Sequence, residues 1–230
     1  MRERPDSFVL IEQHEHALIS AEFARHWSKS PHPPDSTLYA VAHHDVAWRG
    51  PDLDVSWNED RDRPYSFVDY PPEPKVRAYT EGLNQLEIEN SYAAYLCSLH
   101  YTTLMQASNK EAEIRFVTEE SRRQERLRAG MSEEEAENVG RNLRFLKLCD
   151  GLSLFVCLNE PGGSDYPPPY PDGFSFDGEH YDPQWTDRRT LRIDPDPLSE
   201  PFEISIPYKE FGKDRHPLES GRIELQVSQR

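Results

Sequence analysis

The feature that most constrains this chain is an apolar stretch at residues 141 to 158, RNLRFLKLCDGLSLFVCL. Within it, the residues that recur every three or four positions, as on one face of a helix, are Leu143, Leu146, Asp150, Ser153 or Leu154, and Cys157. The stretch therefore predicts a buried helix with a carboxylate in the middle of its apolar face. An unpaired buried carboxylate is costly, so Asp150 needs a cation, hydrogen bonds or a metal ion.

Two further helices are predicted in the first 50 residues. From Gln13 to Ser28 the same face carries His16, Ser20, Phe23 and Trp27, and the pattern stops at the Pro-rich residues 30 to 34. Residues 37 to 48, TLYAVAHHDVAW, are interpreted as a second helix, although their Val and Tyr content also allows a strand. Each of these two segments places histidine where an apolar side chain is expected.

The middle of the chain is mostly helical by pattern. Residues 49 to 74 combine prolines, acids and aromatics without a period, which predicts a long ordered loop. Residues 76 to 105 form the longest helical pattern, with a break expected at 89 to 91 and His100 on its apolar stripe. Residues 110 to 138 predict a solvated helical hairpin, with a helix beginning at Ser132 because Glu135 completes a capping box.

The last 70 residues differ from the rest. Residues 160 to 183 are rich in Pro, Gly, Asp and Tyr and are expected to be irregular, whereas TLRID, FEISIPY and RIELQV alternate like short strands. These strands are expected to pair with the apolar run at residues 7 to 11. The predicted fold class is mainly α: a helical metal-binding core at 1–160, and a Pro-rich segment with a small C-terminal β-strand appendage at 161–230, packed on that core.

Charge and composition exclude some classes of function. A net charge of -16, a pI near 5.0 and a mean hydropathy of -0.84 argue against a protein that tracks the nucleic-acid backbone. No apolar run is long enough to cross a bilayer, and the first residues lack the apolar core of a signal peptide. We therefore expect a cytoplasmic protein with no nucleic-acid or membrane partner and with reduced core cysteines. The expected partner is a small-molecule substrate, and a homo-oligomer is left open.

Four residues are the candidates for a metal site: His16, His44, Asp45 and Asp150. Each has a structural alternative, since a lone histidine on a helix face is usually a core residue, and Arg144 or Lys147 can pair with Asp150. The combination is more informative than its members, because the order His, His-Asp, Asp falls on three separate predicted helices. One shared cation would offset the cost of burying all four.

That order resembles the HD superfamily of metal-dependent phosphohydrolases. The positions that match are His16 in QHEHALISAEFARHW, His44 and Asp45 in YAVAHHDVAW, and Asp150 in LKLCDGLSL. The residues of these motifs are more similar still to a narrower bacterial group classed as a domain of unknown function. The same similarity extends to the segments EGLNQLEIENSYAAYLCSLHYTTL and RFLKLCDGLSLFVCLNEP. The resemblance implies an HD-like helical bundle in which these four residues bind a divalent metal.

A site of this kind would use a metal-activated water. Imidazole and carboxylate ligands suit Mn, Fe, Zn, Ni or Mg. His100 is then a further ligand or a proton donor, and Asp45 a ligand that also acts as base. His43, Arg144 and Lys147 are additional candidates, the last two as partners of a substrate phosphate.

Three functions follow from this reading. The leading one is an HD-type hydrolase of a small, phosphorylated molecule, reached past the aromatic loop at residues 57 to 70. The second is a non-catalytic binding or sensor module with a structural metal or a buried His/Asp network. The third is an HD-type di-iron oxygenase. The remaining histidines are expected to be structural: His14, His26, His32, His180 and His216. Neither a phosphate-binding GK[ST] loop nor a GxSxG elbow is present.

Overall fold

Helices account for the apolar stretches that dominate the first two thirds of the chain. The computed structural model describes residues 1–229. Within them are six α-helices: α1 (Gln13–Arg25), α2 (Asp35–His43), α3 (Pro72–Glu89), α4 (Ser91–Met105), α5 (Glu111–Arg128) and α6 (Glu133–Leu158). Short 3-10 turns at Val46–Arg49 and Pro51–Leu53 follow α2.

Two helix boundaries are where the sequence predicts them. The break between α3 and α4 falls at Asn90, whose side chain accepts a hydrogen bond from the Ala93 amide at 2.9 Å. The capping box at Ser132 and Glu135 is confirmed and begins α6, which then continues without interruption for 26 residues. Polar side chains at these positions satisfy amide groups that a helix start leaves without partners.

The strands form one large sheet and one small one. The described strands are β1 (Arg2–Glu3), β2 (Ser7–Leu10), β3 (Trp57–Asn58), β4 (Arg63–Pro64), β5 (Phe174–Phe176), β6 (Glu179–Trp185), β7 (Thr190–Asp194), β8 (Phe202–Gly212) and β9 (Pro217–Ser228). The large sheet has the order β1-β2-β8-β9-β7-β6-β5, and β3 pairs with β4. The β7–β9 pairing is parallel and the other pairings are antiparallel.

The predicted mainly α class, a helical bundle with a small β-strand appendage, is wrong. The fold is 46% helix and 22% strand, with the seven-stranded sheet curled into a half-barrel. The error has a physical cause. Strands β8 and β9, which are 11 and 12 residues long, pair along most of their length and bury Ile204, Ile206, Leu225 and Val227 in the same core as the helices. A sheet that supplies part of the main core is not a small appendage.

Residues from both ends of the chain meet in this sheet. The expected pairing of the run at 7 to 11 with the tail is confirmed, since β2 lies antiparallel to β8 with Phe8 opposite Phe211. The stretch at 160 to 183 was expected to be irregular, yet it contains β5 and the start of β6. The predicted domain boundary at residue 160 stays a prediction.

The packing of α1 against α6 and the sheet sets the position of the site. Trp27, two residues after α1, makes edge-to-face ring contacts with Phe145 of α6 and with Phe176 and Tyr181 of the sheet, at centroid distances of 5.2 to 5.7 Å. Such aromatic contacts add to the burial energy and fix the relative orientation of the elements. Within residues 1–229, no helix has the length and apolarity to cross a membrane.

Arg2 connects the first strand to the end of α6. Its guanidinium is buried and donates hydrogen bonds to the carbonyl oxygens of Val156 and Cys157, both at 2.8 Å. These carbonyls belong to the last turn of the helix, where no amide of the helix is available to them. The side chain therefore caps α6 from a strand that is distant in sequence.

We predict that Arg2→Met lowers the free energy of unfolding by about 1 to 3 kcal/mol, because two buried carbonyls lose their donors. Lys213→Met is the control, since Lys213 pairs with Glu3 at 2.9 Å on the surface. Such an exposed ion pair contributes less than about 1 kcal/mol to the free energy of unfolding. Urea denaturation of both variants measures the difference. Equal stabilities would contradict the capping role of Arg2.

Candidate metal centre

Three helices converge at one buried cluster. His16 lies in the first turns of α1, His44 caps the C-terminus of α2, Asp45 follows it, and Asp150 lies in the middle of α6. All four side chains are less than a tenth exposed. The structure thus brings together the four residues that the sequence places on separate elements.

Three of the residues, His16, His44 and Asp150, have candidate ligand atoms within 4.8 Å of one another, and Asp45 Oδ2 lies near the two histidines. His16 Nε2 is 3.2 Å from His44 Nε2, 3.2 Å from Asp45 Oδ2 and 3.3 Å from Asp150 Oδ1. His44 Nε2 is 3.4 Å from Asp150 Oδ1 and 4.0 Å from Asp45 Oδ2. Two ligands about 2.1 Å from one ion are roughly 3.0 Å apart at a right angle and about 3.4 Å apart at the tetrahedral angle. The spacing of the cluster fits a metal site.

Hydrogen bonds hold both imidazoles with Nε2 toward the cluster. His44 Nδ1 lies 2.7 Å from the carbonyl oxygen of Val41, which only an N–H can satisfy. His16 Nδ1 lies 2.6 Å from Ser153 Oγ, and the Ser153 hydroxyl donates to the backbone carbonyl of Asp150 at 2.9 Å. Each ring therefore carries its hydrogen on Nδ1 and presents the Nε2 lone pair, as histidine ligands of metals do.

This arrangement is unfavourable without a cation. Two Nε2 lone pairs face each other at 3.2 Å, and His16 Nε2 also lies 3.2 Å from a buried carboxylate oxygen of Asp45 and 3.3 Å from one of Asp150. Either a proton is shared between the rings or a cation lies among the four atoms. A divalent ion would also balance the two carboxylate charges, so the residues present fit such a group.

The electrostatics of the cluster reflect the same crowding. Burial alone would lower the pKa of His44, but the carboxylates of Asp45 and Asp150 outweigh it and raise that pKa to about 9. Burial alone would raise the pKa of Asp150, but the neighbouring imidazoles, His44 foremost, hold it well below its usual range. The protein without metal is thus expected to keep a proton on the histidine pair at neutral pH.

The second oxygen of Asp150 has its own partners. Tyr170 donates its hydroxyl hydrogen to Asp150 Oδ2 at 2.5 Å, and His100 Nε2 lies 3.7 Å from the same oxygen. Burial and then Asp150 raise the pKa of Tyr170 well above its usual value, so it remains a donor. Burial lowers the pKa of His100 to about 4, so this ring is neutral at pH 7.

The structure places the other predicted candidates outside the cluster. His43 is half-buried, stacks on Tyr39 and bonds through Nδ1 to the Tyr39 carbonyl at 2.9 Å. Arg144 is exposed and lies 3.8 Å from Asp177. Lys147 is half-buried, one turn before Asp150 on α6, and burial lowers its pKa against the opposing effect of Asp150.

The histidines expected to be structural lie outside the ligand group. His14 accepts a hydrogen bond from Arg49 at 2.7 Å, and His26 stacks on Phe202. His180 contacts Ser175 at the sheet edge.

Several residues of the site were not found from the sequence. Ser20 and Ser153, 2.7 Å apart, were visible only as small polar positions on helical stripes. Gln13 donates to Asp45 through its side chain at 3.4 Å, and its backbone amide donates to Asp52 at 2.6 Å, which satisfies the start of α1. Tyr170 has no periodic pattern around it and gave no signal.

A narrow cleft leads from the cluster toward the surface. It is lined by His16, Asp45, His100 and Asp150 at its inner end and by Gln13, Trp48, Phe67, Tyr79, Leu104, Leu154 and Pro169 along its walls. The enclosed space is about 20 Å³, enough for roughly one water-sized species. A second cavity of about 80 Å³ shares Gln13, Trp48 and Phe67 with the cleft.

Fold and site together define a mixed α/β protein with a buried His/Asp cluster of metal-site spacing. The model of the family described as "Protein of unknown function (DUF3891)" matches residues 1–213, and the chain belongs to this family. No curated protein and no solved structure matches it. These findings do not link the chain to the HD superfamily, so that relation stays a prediction.

We predict that the metal-free protein loses stability as pH rises. The pKa of His44 is about 9 in the folded state against an ordinary 6.5, so its stabilising proton is fully present below pH 6.5 and lost through pH 9. The loss is on the order of 3 kcal/mol. Urea denaturation in EDTA at pH 6 and pH 9 measures it.

His44→Gln is the control for this pH effect. The variant has no titrating ring at the position, so its stability should change much less over the same interval. A wild-type stability that rises from pH 6.5 to 9 would contradict the assigned electrostatics.

Proposed function

We propose that the protein is a hydrolase that uses one divalent metal ion held by His16, His44, Asp45 and Asp150. The observation that carries the proposal is the set of distances, 3.2 to 4.0 Å, between buried ligand atoms that come from three helices. Mn, Fe, Zn, Ni and Mg are the candidate ions for this ligand set. The compartment we propose is the cytoplasm.

The metal ion and His100 would have different roles in hydrolysis. A divalent ion bound here would lower the pKa of a water ligand and polarise a substrate oxygen. His100 lines the cleft, is neutral at pH 7, and its Nδ1 has no hydrogen-bond partner among the described residues. We assign to it the proton of the attacking water, which it then returns to the leaving oxygen.

The cleft limits the charge of the substrate. None of its lining residues is Lys or Arg, and the nearest candidate cation is Lys147, one turn from Asp150. One oxygen of a single phosphate can be ligated by the ion, whereas the further charges of a polyphosphate would meet acidic and aromatic walls. We therefore propose an ester with one phosphate group as the substrate class.

The adjoining cavity is suited to the organic part of that substrate. Its walls include Trp48, Tyr65, Phe67 and Tyr70, and Trp48 and Phe67 also line the cleft. A group bound there would lie next to the cluster. The aromatic loop at residues 57 to 70 would then select the substrate by shape and apolar contact.

The di-iron alternative has less support. A second iron needs further His and carboxylate ligands, and His100 is the one additional candidate that lies near Asp150 among the residues described. The non-catalytic alternative, a proton shared by His16 and His44, predicts a protein that contains no metal. Metal content therefore separates the proposal from its main competitor.

We predict that untagged protein purified without chelator contains about one transition-metal ion per chain. Asp45→Ala and Asp150→Ala should lose the ion and reduce activity to background in a screen of phosphomonoesters and phosphodiesters. Elemental analysis, the activity screen and far-ultraviolet circular dichroism are the measurements. Metal-free wild type that takes up none of the five candidate ions would overturn the proposal.

A matched pair of histidine variants controls for unspecific damage. His44→Gln removes a ligand, while His43→Gln changes the neighbouring ring, which stacks on Tyr39 outside the cluster. We expect loss of metal from the first variant and full occupancy in the second. Loss from both would contradict the assignment of His44.

A further inference from the structure

One contact to the cluster comes from outside the helices. Tyr170 belongs to the segment at residues 166–173, between α6 and β5, and its hydroxyl donates to Asp150 Oδ2 at 2.5 Å. The other oxygen of the carboxylate, Oδ1, faces the Nε2 atoms of His16 and His44 at 3.3 and 3.4 Å. The two oxygens thus have different partners.

The segment is held firmly enough to act on Asp150. Its turns are closed by backbone hydrogen bonds from Tyr170 to the Pro167 carbonyl at 2.7 Å and from Gly173 to the Tyr170 carbonyl at 3.2 Å. Just before it, Asn159 at the end of α6 bonds to the backbone of Asp165 in both directions, at 2.8 and 3.2 Å. The hydroxyl is therefore positioned by the fold rather than by the carboxylate alone.

Gly151 allows the segment to lie directly on α6. A Cβ atom there would be 2.5 Å from the Phe174 ring and 3.2 Å from the Tyr170 ring, so a side chain does not fit without displacing them. The residue next to Asp150 is thus small where the tyrosine must approach. Gly151 directly follows Asp150 in the chain, and it provides the surface of α6 on which Tyr170 packs.

We propose that Tyr170 is a positioning residue of the metal centre, which fixes Asp150 so that it ligates through Oδ1 alone. This inference rests on the proposed metal site. The phenol occupies one lone pair of Oδ2 and fixes the orientation of the carboxylate, with Oδ1 toward the Nε2 atoms of His16 and His44, which favours ligation through Oδ1. Ligation through one oxygen leaves more positions of the ion for water and substrate, which hydrolysis needs.

The test compares Tyr170→Phe with Tyr166→Phe. Tyr166 lies in the same segment, but its hydroxyl donates to Asp182 at 2.8 Å, away from the cluster. Removing a partner that orients a ligand typically weakens metal binding about 10- to 100-fold. We expect that loss for Tyr170→Phe, measured as the dissociation constant for Zn²⁺ in competition with a chelator, and no loss for Tyr166→Phe.

A spectrum distinguishes positioning from general stability. The visible absorption of the Co²⁺-loaded protein depends on ligand geometry, so Tyr170→Phe should change it and Tyr166→Phe should not. Gly151→Ala, which keeps the hydroxyl but displaces it, should weaken Zn²⁺ binding as well. Thermal unfolding of each metal-free variant confirms that it folds.

The outcomes separate this inference from the proposed function. Wild type that binds neither Zn²⁺ nor Co²⁺ overturns the metal site and, with it, the role of Tyr170. Wild type that binds the ions, together with a Tyr170→Phe variant of equal affinity and identical spectrum, overturns the role of Tyr170 alone. Equal weakening in both tyrosine variants also overturns it, because the effect would then belong to the segment and not to the hydroxyl.

Discussion

The structure around the cluster depends on one electrostatic constraint. Two imidazole lone pairs and two carboxylates are buried together, and no Lys or Arg side chain among residues 1–229 lies at hydrogen-bond distance from them. His16 Nε2 and His44 Nε2 are 3.2 Å apart, and Asp45 and Asp150 close the group. In water these groups would be hydrated and separate. Inside the protein their charges must be balanced locally, by a proton or by a metal ion.

The surrounding packing is arranged to hold that group in place. The Val41 carbonyl and Ser153 fix the two rings, and Tyr170 fixes one oxygen of Asp150. Ser153 and Tyr170 lie on different elements from the residues that they orient, His16 and Asp150. The bond from His44 to Val41 is the local one, within a single helix turn. The convergence of α1, α2 and α6 is therefore what gives the site its geometry, and the sheet supports that convergence through Trp27, Phe176 and Tyr181.

The residues of the cluster were predictable because buried polar side chains interrupt strong apolar periodicity. Asp150 in RNLRFLKLCDGLSLFVCL and His16 on the face of Phe23 are such interruptions, and the structure places them together. The capping residues Asn90 and Ser132 were predictable for a similar local reason. These features depend on side chains a few residues apart.

The sheet and Tyr170 were not predictable in the same way. The alternating pattern in the tail indicates strands, but the length of the β8–β9 pairing and its share of the core are set by contacts between distant segments. A mainly helical fold was therefore the wrong inference. Tyr170 lies in a segment without periodicity. It can approach Asp150 because Gly151, on α6, has no side chain in its way.

The most direct test of the central claim is the anomalous diffraction of a crystal grown from protein loaded with Zn²⁺ and measured at the zinc edge. We predict one strong anomalous peak among His16 Nε2, His44 Nε2, Asp45 Oδ2 and Asp150 Oδ1, at about 2.0 to 2.2 Å from each. A map without a peak there, with the two histidine rings still 3.2 Å apart, would contradict it and indicate a shared proton instead.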